Sequence, residues 1–560
     1  MRIATKAFAG MQPRLEPHLL PDGAAADAVD VVLDRGSIAP LKAPAYVADL
    51  EKTGPILSIY RFGKDLDDDT RFWFHWTADT DVARGPIPDD TSERTYYTEA
   101  GQPPKVTDAT MATTDGLMPS ASYLLGIPTP ETIALVTVTP APEDEGDDEQ
   151  ESTDTAELER QECRLAYTFV SAWGEEGAPT VVSEPFNAGT GDTLNVSNMD
   201  GPPTGAHNIT HKRLYVAVTD STGVAVLRFW QEITVGQAAY SAEFDMTVLG
   251  EALPEFSLVP PPADLFGLMD HPGGFMIGFS GKRVCRSEPL KPYGWPHFSP
   301  VAYDIVGGAI LGQATVICTK GDTYMATQAD PVTFTPVRLD GAQPCVAKRT
   351  IRAFKGGVLY ASPDGLVLVD AGGTLSVATE AIMTRAQWQV YRPESMHAAV
   401  HDNRYFCWFD NGSEQGCLIL EIAAGGVTLT RSRQYATAAY ADPRRDELFV
   451  ALADGKVHKW NAGAPIEFQY VSKTFLAERP QNLGAVQVIA DAYPVEFELQ
   501  AVIEADDGPR TVTTSKTISS GRPGRLDGSY RAREYRYCVK ARATVKEVTV
   551  ASTLANVTAV

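Results

Sequence analysis

The sequence predicts an all-β fold, on three observations. Helical periodicity is nearly absent, and the clearest helix-like segment, Thr379 to Tyr391, is short and soon followed by Pro393. The rest of the chain consists of strand-length runs rich in Val, Tyr, Phe and Thr, separated by turns that contain glycine. Pairs of such runs form hairpins, and the hairpins recur along the chain at a nearly constant interval.

The recurring hairpins indicate a propeller. Their turn centres lie near Gly281, Gly321, Asp364, Ser413 and Asp454, and the spacings are 40, 43, 49 and 41 residues. Antiparallel strands repeated every ~40 to 50 residues are typical of β-propeller blades. Because one blade cannot bury both of its faces, neighbouring blades stack around a common axis. The repeat lacks the Gly-His and Trp-Asp pairs of a WD40 array.

The strand pattern changes on both sides of the repeat. Upstream, ILSIYRF and TRFWFHW form a further hairpin, whereas Tyr167 to Pro185 (YTFVSAWGEEGAPTVVSEP) resembles a fibronectin type III module. After Trp460 the blade pattern stops, although strand-like runs continue. The predicted segments are an N-terminal arm with the first propeller strands (1–138), an inserted fibronectin III-like β-sandwich (139–255), propeller blades (256–465) and a C-terminal β domain (466–560).

Charge is unevenly distributed. The whole chain has a net charge of −24. This argues against a protein that binds duplex DNA tightly, because tight binding needs clustered cations. Eleven acids against one arginine give the segment 143–162 a charge of −10. This composition predicts a solvated loop, and a metal site or a site for a basic partner is the alternative.

The C-terminal region has the opposite bias. Ten cations against two acids give Arg510 to Lys546 a charge of +8. Much of this charge recurs at period two, which predicts a cationic strand face that docks another protein; a merely solvated strand face is the alternative. The candidate interaction residues are Arg531, Arg533, Arg536, Lys540 and Arg542.

Motifs of known chemistry fail on their spacing. GFSGKR, beginning at Gly278, lacks the first glycine and the Ser/Thr of a phosphate-binding loop. His397 and His401 are four residues apart on a predicted strand, and this places them ~13 Å apart, too far to share a zinc ion. Pairs of carboxylates carry no information among 72 acids. The sequence therefore predicts no catalytic residue, no cofactor and no metal, and a protein that is not an enzyme.

The cellular compartment is predicted from cysteines and apolar runs. The seven cysteines are spread singly, without a CxxC pair, which predicts buried thiols in a reducing compartment. The N-terminal residues lack the apolar run of a signal peptide. Apolar runs are of strand length, shorter than the ~20 residues of a membrane helix. We therefore expect a soluble protein made in a cytoplasm, with no membrane-spanning segment.

Four segments carry a resemblance to bacteriophage virion proteins. VCRSEPLKPYGWPHFSPVAYDI and VAKRTIRAFKGGVLYASPDGLVLV begin at Val284 and Val346. ATEAIMTRAQWQVYRPESM and FLAERPQNLGAVQVIADAYPVEFELQA begin at Ala378 and Phe475. Together they resemble β-propeller tail tube or nozzle proteins of short-tailed phages, over residues 273 to 560.

This resemblance implies a function and partners. It implies a structural component of the virion tail, assembled in the host bacterial cytoplasm as a ring, usually of six copies, that forms part of the DNA ejection conduit. The implied partners are further copies of the chain, the adaptor and portal-proximal proteins, other tail proteins, and genomic DNA that passes without tight binding. Six copies at −24 would carry −144, which would repel the duplex.

Two alternatives from other functional classes remain at this point. One is a peripheral tail protein that binds a glycan on the host surface through the propeller or the fibronectin-like module. The other is a propeller glycoside hydrolase, which would need two suitably spaced carboxylates.

Overall fold

The computed structural model describes most of the chain. The described residues are 1–33, 35–63, 67–142, 160–219, 225–253, 257–423, 426–505, 508–526 and 530–558. The prediction of an all-β protein with a propeller, an inserted sandwich and a C-terminal β domain is confirmed. Neither of the two helices among these residues has the length and apolar character needed to cross a lipid bilayer.

The N-terminal region supplies strands to several sheets. Its strands are β1 (Arg2–Thr5), β2 (Ala25–Val29), β3 (Val31–Val32), β4 (Ala39–Pro40), β5 (Ala45–Asp49), β6 (Ser58–Arg61), β7 (Trp73–Trp76), β8 (Thr80–Ala83), β9 (Thr95–Glu99), β10 (Lys105–Thr107) and β11 (Tyr123–Leu124). Only β5 to β11 belong to the propeller, whereas β1 and β2 pair with strands of the C-terminal region.

The described part of the insertion is a sandwich of seven strands. Its strands are β12 (Leu135–Thr139), β13 (Gln161–Ser171), β14 (Phe186–Ala188), β15 (Thr193–Ser197), β16 (Ile209–Thr219), β17 (Ala225–Thr234) and β18 (Tyr240–Glu243), followed by a 3₁₀ turn at Met246–Val248. One sheet has the order β12-β15-β18 and the other β14-β13-β16-β17. Alternating inward residues such as Leu165, Tyr167 and Leu214 form its own core.

The propeller continues after the insertion. Its strands are β19 (Phe266–His271), β20 (Phe275–Ser280), β21 (Arg283–Arg286), β22 (His297–Pro300), β23 (Ile305–Leu311), β24 (Ala314–Thr319), β25 (Thr323–Ala326), β26 (Val337–Arg338), β27 (Arg352–Phe354), β28 (Gly357–Ala361), β29 (Leu366–Asp370), β30 (Leu375–Val377), β31 (His397–His401), β32 (Arg404–Asp410), β33 (Gln415–Ala423), β34 (Gly426–Ser432), β35 (Ala438–Asp442), β36 (Glu447–Ala451) and β37 (Lys456–Lys459). All five predicted hairpins are present, as β20–β21, β24–β25, β28–β29, β32–β33 and β36–β37.

The predicted helix-like segment is mostly not helical. Within it the structure has one short helix, α1 (Arg385–Gln389). A 3₁₀ turn at Lys348–Thr350 precedes the segment in the chain, and another at Pro393–Ser395 follows it. Thr384 accepts a hydrogen bond from the Gln387 amide, and the Gln387 side chain accepts one from the Thr384 amide. This capping box fixes where the helix begins.

Seven blades, counted among the described residues, close into a ring. Blade 1 is β6–β7, blade 2 is β8–β11, and blades 3 to 6 are β19–β22, β23–β26, β27–β30 and β31–β34. Blade 7 is β35–β37, and β5 completes it as the outer strand, so the N-terminal arm closes the circle. The innermost strands contact one another in the order β6, β8, β19, β23, β27, β31, β35 and back to β6.

The hydrophobic core of the propeller lies between neighbouring blades. Blades 3 and 4 share one cluster, with Phe279 and Ile317 on opposite sides, and blades 4 and 5 share another, with Val316 and Tyr360. Each blade thus buries its faces against two neighbours, as the repeat length predicted. The cysteine thiols are all buried, as predicted.

The C-terminal region is fused to blade 6. Its elements are β38 (Phe468–Ser472), β39 (Phe475–Gln481), β40 (Ala485–Ala490), β41 (Val495–Ala505), β42 (Gly508–Ile518), β43 (Gly524–Arg525), β44 (Ala532–Ala541), β45 (Val545–Ala551) and α2 (Leu554–Thr558). A ten-stranded sheet runs from blade 6 in the order β31-β32-β33-β34-β2-β38-β44-β41-β42, with β39 also paired to β44. A second sheet has the order β1-β45-β40-β43.

Candidate functional site

The predicted cationic residues lie on and beside β44. Arg531, Arg533 and Arg542 are exposed. Arg536 is half-buried and donates to Gln500 at 2.6 and 3.0 Å, and Lys540 pairs with Glu498 at 3.0 Å. Because successive strand residues point to opposite faces, Arg533 and Arg536 cannot share one face. The structure therefore divides the predicted cationic face: the exposed members lie at the ends of β44, and those in mid-strand are paired within the sheet.

Strand β42 forms one end of the ten-stranded sheet. It pairs with β41 along its full length, and on its other side it has no strand partner among the described residues. Arg510, Thr511, Thr513, Ser515 and Thr517 are exposed along it. An exposed edge of this length presents a row of backbone donors and acceptors to which another chain can add a strand.

A second candidate site lies on the propeller axis. The segment KRTIR, which joins blade 4 to blade 5, supplies Lys348, Arg349 and Arg352, here termed the axial cation cluster. Lys348 and Arg349 occupy the short 3₁₀ turn, and Arg352 begins the innermost strand of blade 5. This position directs three cations across the ring toward other blades.

Lys348 binds two carboxylates of blade 2. Its Nζ lies 2.5 Å from Asp81 Oδ2 and 3.0 Å from Asp79 Oδ2. Burial opposes the charge on this ammonium, but the neighbouring Asp81 and Asp79 outweigh that effect and raise the pKa of Lys348. Chemistry that needs one of these carboxylates as a free acid or base, such as glycoside hydrolysis, would therefore need Lys348 to withdraw.

Arg349 and Arg352 bind backbone carbonyls of three further blades. Arg349 Nη2 donates to the oxygens of Leu57 and Thr437, at 2.5 and 2.8 Å, just ahead of the innermost strands of blades 1 and 7. Arg352 Nε donates to Ala398 O in blade 6 at 2.8 Å. Burial lowers the pKa of Arg349. The carboxylate of Asp79 opposes this effect, and the positive charge of Arg352 adds to it.

His397 borders the same space. The ring is 3 % exposed and stacks on Trp408 at 5.4 Å between centroids. Its Nε2 has no hydrogen-bond partner among the residues that the structure describes. Burial, together with the charges of Arg349 and Arg352, holds the pKa of His397 well below its ordinary value, so the imidazole is neutral.

These groups surround an axial cavity of about 310 Å³. The innermost strands of all seven blades contribute to its wall. Asp79 and Lys348 also border a second cavity, of about 620 Å³, beside the segment from Thr98 to Pro103. The ion pair between Lys348 and Asp79 therefore lies between the two cavities.

The sequence pattern alone does not reveal this axial site. Three cations within the five residues KRTIR are a visible signal, but their partners in other blades lie between 46 and 292 residues away. His397 and His401 both lie on β31, as predicted; His397 faces the axis, and His401 lies 3.5 Å from Asp446. No group of three or more potential metal ligands occurs within the described ranges. Most of the acidic segment, residues 143–159, lies outside them.

Comparisons with known proteins give similar structures only. The sequence matches no protein-family profile, and no curated protein is similar to it at a significant level. One similar structure is an exo-β-1,3-galactanase from Phanerochaete chrysosporium, with 12 % identity over 51 % of this chain and 95 % of that chain, and a TM-score of 0.21. Another is BamB from Moraxella catarrhalis, with 11 % identity over 52 % of this chain and 90 % of that one, and a TM-score of 0.24.

A third similar structure is described as a glycoside hydrolase. It shows 10 % identity over 70 % of this chain and 96 % of that chain, with a TM-score of 0.17. The prediction that this chain is not an enzyme is contradicted by these matches, because carbohydrate-cleaving enzymes are among the structures that it resembles, and the exclusion is withdrawn. Likeness at these TM-scores assigns no activity to the chain.

Proposed function

We propose that this chain is a structural component of a bacteriophage tail, a nozzle or tail-tube subunit that forms a ring around the DNA ejection path. The resemblance of four sequence segments to phage virion proteins supplies the class. The observation that carries the assembly role is the long edge strand β42, whose outer side has no strand partner in the described part of the chain, on a sheet continuous with the propeller. A neighbouring subunit that adds a strand there would satisfy its open backbone groups.

The fusion of the propeller to the C-terminal region supports a rigid subunit. Strand β2 pairs with both β34 of blade 6 and β38, and so joins the two parts by backbone hydrogen bonds. One hydrophobic cluster runs through both, with Trp388 and Tyr405 on the propeller side and Phe497 and Tyr537 on the C-terminal side. A subunit of this kind can transmit contacts made at its C-terminal edge without a flexible hinge.

The axis of the single propeller does not provide the path for DNA. Lys348, Arg349 and Arg352 cross the ring and fill part of it, and the remaining cavity of about 310 Å³ is far smaller than a duplex needs. In the proposed ring, DNA passes between copies of the chain. The contacts between copies in a closed ring are heterologous, so each subunit presents two different surfaces.

Charge reversal at the ends of β44 tests the docking role. The variant Arg531→Glu, Arg533→Glu, Arg542→Glu changes exposed residues only and leaves the paired Arg536 and Lys540 in place. We expect tail assembly to fall at least ~10-fold because the cations that face an acidic neighbour are lost, while the isolated chain keeps its fold. The measurements are virion yield and the circular dichroism of the purified variant.

The matched control carries the same charge change on the propeller. Arg84→Glu, Lys282→Glu, Lys320→Glu reverses three exposed cations away from the C-terminal sheet. Normal virions from the β44 variant, or equal losses from both variants, would refute the docking role. A reconstruction of the virion that places the chain outside the tail axis would favour the alternative of a peripheral glycan-binding protein.

A further inference from the structure

The axial cavity carries an unbalanced positive charge. The axial cation cluster supplies three cations, and Asp79 and Asp81 supply two carboxylates, which leaves one positive charge in excess. Both carboxylates bind the Lys348 ammonium. Neither Arg349 nor Arg352 has a carboxylate within salt-bridge distance among the described residues, and their hydrogen bonds go to carbonyl oxygens.

The two guanidinium groups keep donors to spare. Each guanidinium has five N–H groups, and each of these two makes two hydrogen bonds. A guanidinium fork matches the oxygens of a carboxylate or a phosphate better than it matches single carbonyls. A buried charge without a counter-ion costs folding free energy unless an anion or water compensates it.

His397 adds a polar atom that the protein leaves unused. Its Nε2 is buried without a partner, on a ring that borders the cavity beside both arginines. Buried polar atoms are nearly always hydrogen-bonded, so an orphan at a cavity wall indicates an occupant that supplies the partner. A cavity of about 310 Å³ holds more than one water and has room for a small oxyanion.

We propose that the axial cavity binds a small oxyanion, a phosphate or the carboxylate of a molecule of monosaccharide size, with Arg349 and Arg352 as its ligands and His397 Nε2 accepting a hydrogen bond from a hydroxyl of the bound molecule. The bound anion compensates the excess charge of the axial cation cluster. The Lys348–Asp79 pair borders both this cavity and the second cavity. This site is independent of the proposed role in a tail.

Calorimetric titration of the purified full-length chain tests the proposal. The probes are inorganic phosphate, glucuronate and, as the uncharged control, glucose, in a buffer of low ionic strength without other oxyanions. We expect phosphate, glucuronate or both to bind at one site and glucose not to bind. Binding of glucuronate alone identifies a carboxylate ligand, and binding of phosphate alone identifies a phosphate. Absence of binding by both anions at millimolar concentration would overturn the proposal.

Variants locate the site. Arg352→Gln removes one guanidinium, and we expect it to weaken anion binding at least ~10-fold, the loss of one charge-assisted bidentate contact. Arg385→Gln, which removes an exposed arginine at the start of α1 that does not line the axial cavity, should leave the affinity unchanged. If Arg352→Gln fails to fold, Arg349→Lys, which keeps the charge but not the fork, takes its place with the same expectation. Equal affinity in either folded axial variant and in the control would refute the assignment.

Discussion

Single cations hold the centre of this propeller together. Lys348 contacts blade 2, Arg349 contacts blades 1 and 7, and Arg352 contacts blade 6, although all three belong to the junction of blades 4 and 5. The interblade clusters pack neighbouring blades against each other, whereas Lys348 and Arg349 link the junction of blades 4 and 5 to blades that are not adjacent to it. Polar contacts of this kind hold the blades in one arrangement because each donor requires its acceptor.

Removing the Lys348 ammonium should destabilise the fold. Lys348→Met leaves Asp79 and Asp81 charged without the cation that pairs with them, and we expect a loss of about 2 kcal/mol or more in the free energy of unfolding. The measurement is the urea midpoint of the variant. Lys282→Met, at an exposed position, is the control and should shift the urea midpoint little. Further substitution to Asp79→Asn and Asp81→Asn should restore part of the loss; no restoration would mean that packing, not charge, is responsible.

His75 should make stability fall in acid. The ring is 1 % exposed; its Nδ1 lies 2.9 Å from Trp73 O, and its Nε2 accepts from the Lys52 amide at 3.1 Å. Burial lowers the pKa of His75 to about 4. Protonation would place an N–H of the ring against the Lys52 N–H, which explains why the charged form is disfavoured.

The lowered pKa of His75 determines how the stability of the fold changes with pH. An unfolded chain takes up the proton near pH ~6.5, whereas the folded chain resists it until about pH 4, so this contribution is complete above ~6.5 and is lost as the pH falls toward 4. Between about pH 8 and pH 5 we expect a loss of about 2 kcal/mol from this group. His75→Gln should flatten the stability curve by that amount, whereas exposed His18→Gln should not; identical curves for wild type and His75→Gln would contradict the assignment.

Among the elements, β5 has a distinct role because it closes the ring. It comes from the N-terminal arm and pairs with β37, the last strand of the propeller, with Ala48 opposite Val457. Without it, blade 7 would present an open edge at the point where the circle begins and ends. The sequence places β5 about 400 residues from its partner, and this makes the closure a non-local contact.

A proline in β5 tests the closure. Ala48 is 5 % exposed in the middle of the strand. Ala48→Pro removes a backbone donor and forces the strand apart, and we expect a loss of about 3 kcal/mol, seen as a lower thermal midpoint. Tyr46→Ala, which removes an exposed ring from the same strand, is the control and should cost less than ~1 kcal/mol. A midpoint for Ala48→Pro equal to that of the control would show that β5 is dispensable.

At the scale of the whole molecule, the negative net charge opposes the binding of nucleic acid. The chain carries −24, and its C-terminal cations are divided between exposed positions and pairs within the sheet. We expect no saturable binding of a labelled DNA duplex at ~10 μM chain and ~50 mM salt, measured by fluorescence anisotropy, because few cations are free to replace counter-ions.

The charge-reversal variant at the ends of β44 is the control for this measurement. Wild-type binding that disappears in this variant and falls steeply with salt would contradict the expectation and show that the C-terminal cations contact phosphate. Binding that both chains share would point to another surface. Either result would also count against a conduit that lets DNA slide.

The sequence by itself determined the local structure. Turn residues and alternating apolar positions placed the hairpins at Gly281, Gly321 and Asp364, because strand pairing across a short turn depends on neighbouring residues alone. The same local signals located the sandwich around Tyr167. The helix prediction exceeded α1 at both ends, since a single capped turn resembles a longer helix in sequence.

Only the tertiary structure decided which distant segments meet. The insertion of β2 beside blade 6, the closure by β5 and the contacts of Lys348 with Asp79 and Asp81 join residues between 267 and about 450 positions apart. No periodicity records such pairings, because they depend on how seven blades pack around one axis. The predicted cationic face is divided for a related reason: alternation along β44 and partners on β41 decide which charges remain exposed.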